Sequence, residues 1–116
     1  MKNMDKAQAL TIWQKEIGNK EYTHDFAGRK IKQSDYLESN QVGWLVSYLH
    51  PLNQGGKNND GNIIIMHHRT AEEKGEQFPD FSANNRQYHI EYNRKDDYYY
   101  VERVMDSDDD DEESLI

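Results

Sequence analysis

Cysteine is absent from the 116 residues, which excludes a disulfide framework, a thiolate nucleophile and any cysteine-ligated zinc. Apolar residues are scarce: mean hydropathy is -1.16 and hydrophobic types make up 34% of the chain against 31% charged. No apolar run reaches the length of a signal-peptide core or a membrane span, so the sequence predicts a soluble, cytoplasmic protein with no membrane partner. A basic patch is missing too. Affinity for duplex DNA rests on phosphate neutralisation by Lys and Arg, so direct binding to nucleic acid is not expected. A chain this short and polar builds one small domain with a limited core. Eight Tyr, three Phe and two Trp must supply much of that core.

The net charge of -8 is unevenly spread. Asp106 to Glu113 holds seven of the 22 acidic residues and no base, so 15 acids face 14 Lys and Arg elsewhere. The sequence therefore predicts a nearly neutral domain over residues 1–105 and an acidic disordered tail over 106–116. Closely spaced carboxylates imitate a row of phosphates electrostatically. Asp108, Asp109, Asp110 and Asp111 are thus candidate contacts for the basic groove of a nucleic-acid-binding partner, and would repel DNA from the body of the chain.

Asp5 is placed to cap a helix from Lys6 to about Ile17, with Ala7, Leu10, Trp13 and Ile17 spaced to form one apolar stripe. Gly18-Asn19 ends it. Tyr22 to Asp25 and Lys30 to Ile31 pair as a short hairpin around Phe26-Ala27-Gly28, where Arg29 reads as a structural residue. Gln33 to Leu37 is predicted as a short helical turn. From Gly43 the pattern changes. Trp44 to Leu49 reads as a strand that His50-Pro51 stops, because proline cannot continue a ladder. Gln54-Gly55-Gly56 through Asp60-Gly61 is a turn-rich loop, Ile63-Ile64-Ile65 a short buried strand, and His67 to Lys74 a helix in which Thr70 and Glu73 have capping-box spacing.

This strand, loop, strand and helix resembles the HNH (ββα-metal) endonucleases, in the branch whose core runs G-W-x-x-D-H-x-x-P, a G-G loop, an Asn, an L-x-x-x-H strand end and a T-N-x-x-K-G helix. Gly43, Trp44, Pro51, Gly55, Gly56, Lys57, Asn62, His67, Thr70, Lys74 and Gly75 fall where that pattern has them. Asp25 to Ile31 resembles the D-x-x-G-R-x-I turn that precedes the core, and the likeness covers about residues 7 to 80. The resemblance implies a metal-ligand place for His67 and a histidine-orienting place for Asn62. Where the pattern has its Asp-His pair, however, this chain has Ser47-Tyr48. Serine is a weak neutral ligand for a hard cation that prefers carboxylate. Tyrosine titrates near ~10, a poor match for a general base at neutral pH. His50 is displaced from the Tyr48 position by two strand steps, roughly 6.6 Å. Ser47, Tyr48, Asn62 and His67 therefore read as a degenerate site with no catalytic residue and no cofactor. The alternative is an endonuclease using a divalent metal on a rearranged site: imidazole suits nickel, zinc or copper, making His67 and His50, with His68, candidate ligands. That site needs a carboxylate from Asp35, Asp60 or Glu72.

Beyond Glu76, Asn84-Asn85 reads as a tight hairpin turn, and Gln87 to Tyr92 and Tyr98 to Val104 alternate as two strands. Their tyrosines face both ways. Tyr88, Tyr92, Tyr98, Tyr99 and Tyr100 are candidate partner contacts, since tyrosine offers large contact area with few rotors to freeze. The fold class expected is α+β: an HNH-like ββα core with an N-terminal helix and a C-terminal antiparallel β-sheet. The function expected is protein binding, as an inhibitor or immunity-type factor against a nuclease or a nucleic-acid-directed defence system, resembling a phage or mobile-element anti-CRISPR in size and character.

Overall fold

The computed structural model describes residues 4–105; the acidic stretch, with Asp108, Asp109, Asp110 and Asp111, lies outside the described residues. Helix α1 spans Lys6–Glu16, opened by Asp5, whose carboxylate accepts the Gln8 N–H at 2.8 Å. It closes where the N–H groups of Ile17 and Gly18 both reach the Trp13 carbonyl. The buried face differs from the expected stripe. Ala9 and Trp13 are buried while Ala7 is exposed. Trp13 packs on Trp44 with ring centroids 4.9 Å apart, and the residue one turn before it is Ala9.

Strands β1 (Tyr22–His24) and β2 (Lys30–Lys32) form the expected hairpin. The segment 33–37 is not helical. Asp35 closes tight turns with Lys32 and Glu38, but Tyr36 bridges to Trp44 in parallel and the Asp35 carbonyl and Leu37 N–H bond the Trp44 backbone, so the turns do not run on into a helix. Tertiary pairing has taken the groups a helix would use.

Strands β3 (Trp44–Tyr48) and β4 (Ile63–His67) pair antiparallel, with Trp44 opposite His67 and Tyr48 opposite Ile63. Helix α2 (His68–Lys74) follows directly. The strand, loop, strand and helix read from the sequence is present, with one change at the helix start. His67 is the N-cap, its side chain accepting the Arg69 N–H, and Thr70 is a buried residue inside the helix. Within the loop, Gly56 lies so close to the chain that a Cβ there would collide with the His50 carbonyl.

The last sheet has the order β5 (Asp80–Ala83), β6 (Arg86–Asn93), β7 (Tyr98–Arg103), antiparallel throughout. Asn84 and Asn85 have φ of 51° and 63°, the pair of left-handed residues that a two-residue hairpin needs. Two apolar clusters result. One gathers Trp13, Ile31, Tyr36, Trp44 and Ile65 beneath α1; the other gathers Ala27, Leu49, Phe81, Tyr88 and Ile90 beneath the three-stranded sheet, with Ile64 and Tyr99 against it. The β3–β4 pair contributes to both, Trp44, Leu45, Val46 and Ile65 to the first and Ile64 to the second, in an α+β arrangement. No helix among the described residues is long and apolar enough to cross a membrane.

Candidate functional site

Asp25 begins the hairpin turn, and its buried carboxylate is the hub of one end of the β3–β4 pair. Oδ1 accepts the N–H groups of Ala27 and Arg29, at 3.0 and 2.9 Å. Oδ2 accepts the N–H of His67 at 2.9 Å. The same carboxylate therefore shapes the turn and ties it to the end of β4. Arg29 continues inward, donating from Nη1 to the Thr70 hydroxyl at 3.1 Å and to Glu73 at 2.6 Å. That bond, with the Asn84 N–H, holds the Glu73 carboxyl below its usual range.

His67 is buried, and both ring nitrogens are engaged. Nδ1 accepts the Arg69 N–H at 3.0 Å, so the ring proton resides on Nε2, which donates to the Gln41 carbonyl at 2.9 Å. Burial lowers its pKa, which favours this neutral form. A small cavity of about 160 Å³ beside it is lined by Arg29, Lys30, Gln41, His67 and Arg69.

His50 occupies the opposite end of the pair. Its ring stacks on Phe78 with centroids 3.8 Å apart. Nε2 faces the Gln54 carbonyl at 3.0 Å and must donate to it, leaving Nδ1 to accept from the Tyr99 hydroxyl at 3.0 Å. The proposed sharing of one metal by His50 and His67 is not supported by this placement. Trp44 is opposite His67, and four strand steps, roughly 13 Å, separate it from Tyr48, which itself precedes His50. Of the carboxylates considered, Asp35 accepts from Ser34 and Asn40, Asp60 is exposed near Lys15, and Glu72 approaches His68, whose Nε2 faces the Asn40 carbonyl. Among the described residues, no three His, Cys, Asp or Glu side chains are grouped to hold a metal ion.

Asn62 is fully buried and grips the loop. Its Oδ1 accepts the His50 N–H, and its Nδ2 donates to the carbonyls of His50 and Lys57, all at 2.8 to 2.9 Å. These three bonds all go to backbone groups. Ser47 is opposite Ile64, and Tyr48 donates its hydroxyl to Asn58 at 2.9 Å. Adjacent strand residues point to opposite faces, so these two side chains diverge.

The five tyrosines divide by face. Tyr88 is buried in the second cluster and presents no surface, a correction to its reading as a partner contact. Tyr99 is half-buried against His50, and Tyr92 is tied to Lys57 and Asp97. Tyr98 and Tyr100 are exposed on the outer face of β7. Lys74, matched to the pattern only as a lysine, is 2% exposed, and burial pushes its ammonium down to about 8. Sequence reasoning placed Asp25 in a turn but missed its bond to His67, 42 residues away, for which there is no local signal. The chain matches no protein-family model, no curated protein and no solved structure.

Proposed function

We propose that this chain is a catalytically inactive HNH-like protein that works in the cytoplasm by binding another protein. In this reading it is an inhibitor or immunity-type factor against a nuclease or a nucleic-acid-directed defence system, of the kind a phage or mobile element encodes as an anti-CRISPR. It uses no cofactor and makes no direct contact with nucleic acid. The observation that carries the reading is the engagement of polar atoms at the matched positions. Asn62 holds three backbone groups, both ring nitrogens of His67 have internal partners, and Ser47 and Tyr48 stand where the pattern has its Asp-His pair. A metal at His67 would have to displace one of these bonds and would find neither carboxylate nor base on β3. Exposed Tyr98 and Tyr100 supply the type of contact surface on which protein recognition concentrates.

The test has two arms. Purified protein incubated with supercoiled plasmid in magnesium, manganese or nickel is expected to leave it intact; nicking that disappears in His67→Ala would overturn the reading in favour of a rearranged nuclease site. A nuclease partner is expected to co-purify with the natural chain and with His67→Ala alike, and less with Tyr98→Ser, Tyr100→Ser.

A further inference from the structure

The two sheets leave open edges that meet in one groove. A cavity of about 370 Å³ is lined by three consecutive residues of β4, Ile63–Ile65, and three of β7, Tyr99–Val101. Successive strand residues point to opposite faces, so a cavity that touches three in a row lies along a strand's edge rather than over a face. Both strands are terminal in their sheets.

The phase of each ladder says which backbone groups point into the groove. On β4, the Leu49 N–H bonds the Asn62 carbonyl, and the His67 N–H turns away from β3 to reach Asp25. Antiparallel pairing alternates, so the N–H and C=O of Ile63 and Ile65 turn the same way as those of His67. On β7, the Val104 N–H bonds the Gln87 carbonyl, so the groups of Tyr99 and Val101 turn away from β6. An open edge of this apolar character invites pairing with another chain, and proteins ordinarily blunt or cover it.

The groove also has a charge. Its lining includes Glu16, His24 and Asp25, the last with its carboxylate already holding three backbone N–H groups, and no Lys or Arg. Glu91 and Glu102 add to the field at Tyr100, where their charges help raise the phenol's pKa after burial.

We propose that the groove between β4 and β7 takes an extended segment of a partner protein as an added strand, with apolar side chains at alternate positions and a lysine or arginine at its flank. Backbone bonds to Ile63, Ile65, Tyr99 and Val101 give affinity, the apolar walls select the alternating residues, and Glu16 selects the basic flank. This rests on the protein-binding reading and names the surface and the partner chemistry.

A library of short randomised peptides displayed on phage, panned on the full chain, is the test. Enriched sequences are expected to alternate Val, Ile or Tyr with polar residues and to carry Lys or Arg at one end. A synthetic copy should slow amide exchange at Ile63, Ile65, Tyr99 and Val101. N-methylation of its alternate amides should weaken it about tenfold or more, because backbone bonds are lost while the protein is untouched. Glu16→Lys, on the exposed surface of α1, should weaken it about fivefold. No enrichment, unpatterned or acidic sequences, or protection elsewhere would overturn the assignment. Protection of the same amides that rises with protein concentration alone would name a second copy as the occupant, and also overturn it. If a nuclease partner binds the natural chain and Glu16→Lys equally while no peptide fills the groove, the groove falls and the protein-binding reading stands. Patterned peptides that fill the groove while no nuclease partner is retained would uphold the groove and overturn the nuclease-inhibitor reading.

Discussion

The ends of the β3–β4 pair and its long edge are built on opposite terms. At one end Asp25 and Gln41 hold the backbone and ring of His67; at the other, Asn62, Gln54 and Tyr99 hold His50. Every polar atom of those histidine rings has an internal partner, and both rings carry their proton on Nε2. Between the two ends, Ile63, Ile64 and Ile65 line a cavity of about 370 Å³. The polar side chains of His50, Asn62 and His67 are spent on internal hydrogen bonds, whereas the edge residues between them are a run of three isoleucines.

Removing the hub at the His67 end should break the comparison most severely. Asp25→Ala leaves three N–H groups without their charged acceptor and should cost about 3 kcal/mol or more, read as a lower urea midpoint with an unchanged slope. Asn62→Ala, at the other end, removes three uncharged bonds and should cost about 2–3 kcal/mol by the same measurement. If the His50 end loses more than the His67 end, the carboxylate is not the stronger clasp.

Lys74 sharpens the contrast, because its burial opposes stability. Its folded pKa of about 8 lies below the ordinary 10.5, so between those values the unfolded chain binds a proton that the folded chain does not. Stability therefore rises with pH across that window. Lys74→Met should be more stable than the natural chain by about 1–3 kcal/mol at pH 7, and the gap should close toward pH 10.5. A gap independent of pH would mean that Lys74 is charged and comfortable where it sits.

His67 titrates in the opposite half of the scale. Burial lowers its folded pKa, so the natural chain should lose stability as pH falls below about 6.5, where the unfolded ring takes up its proton first. His67→Gln should flatten that part of the profile. The smallest effect on folding belongs to the exposed face: Tyr98→Ser with Tyr100→Ser should change stability by no more than about 0.5 kcal/mol while weakening partner capture.

Much of this architecture was legible. The cap at Asp5, the hairpin around Phe26-Ala27-Gly28, the strand, loop, strand and helix from Trp44 to Lys74 and the Asn84-Asn85 turn all arise from local signals of capping, alternation and turn chemistry. The errors occurred where distant partners decide. Residues 33–37 stopped short of a helix to bond Trp44; Thr70 was drawn inward to Arg29 while His67 took the cap; Ala9 displaced Ala7 because the indole of Trp13 leans on Trp44. Alternation showed that the tyrosines of β6 and β7 face both ways, but which face is covered depends on where Phe81, Leu49 and Ile64 pack. That is why Tyr88 is core and Tyr100 is surface. His67 and His50 were readable as histidines near strand ends, yet their hydrogen-bond partners, Gln41 and Tyr99, lie 26 and 49 residues away.

The central claim is that the ring nitrogens of these two histidines are engaged inside the fold. Long-range proton–nitrogen correlation spectra of the imidazoles, recorded at about pH 7.5, above the ordinary histidine range, while manganese is added, test it directly. The account predicts that His50 and His67 both appear as the Nε2–H tautomer and that neither broadens selectively. A His67 ring in the other tautomer, or one whose signals vanish at low manganese while the rest of the protein is unaffected, would contradict it and return the site to metal chemistry.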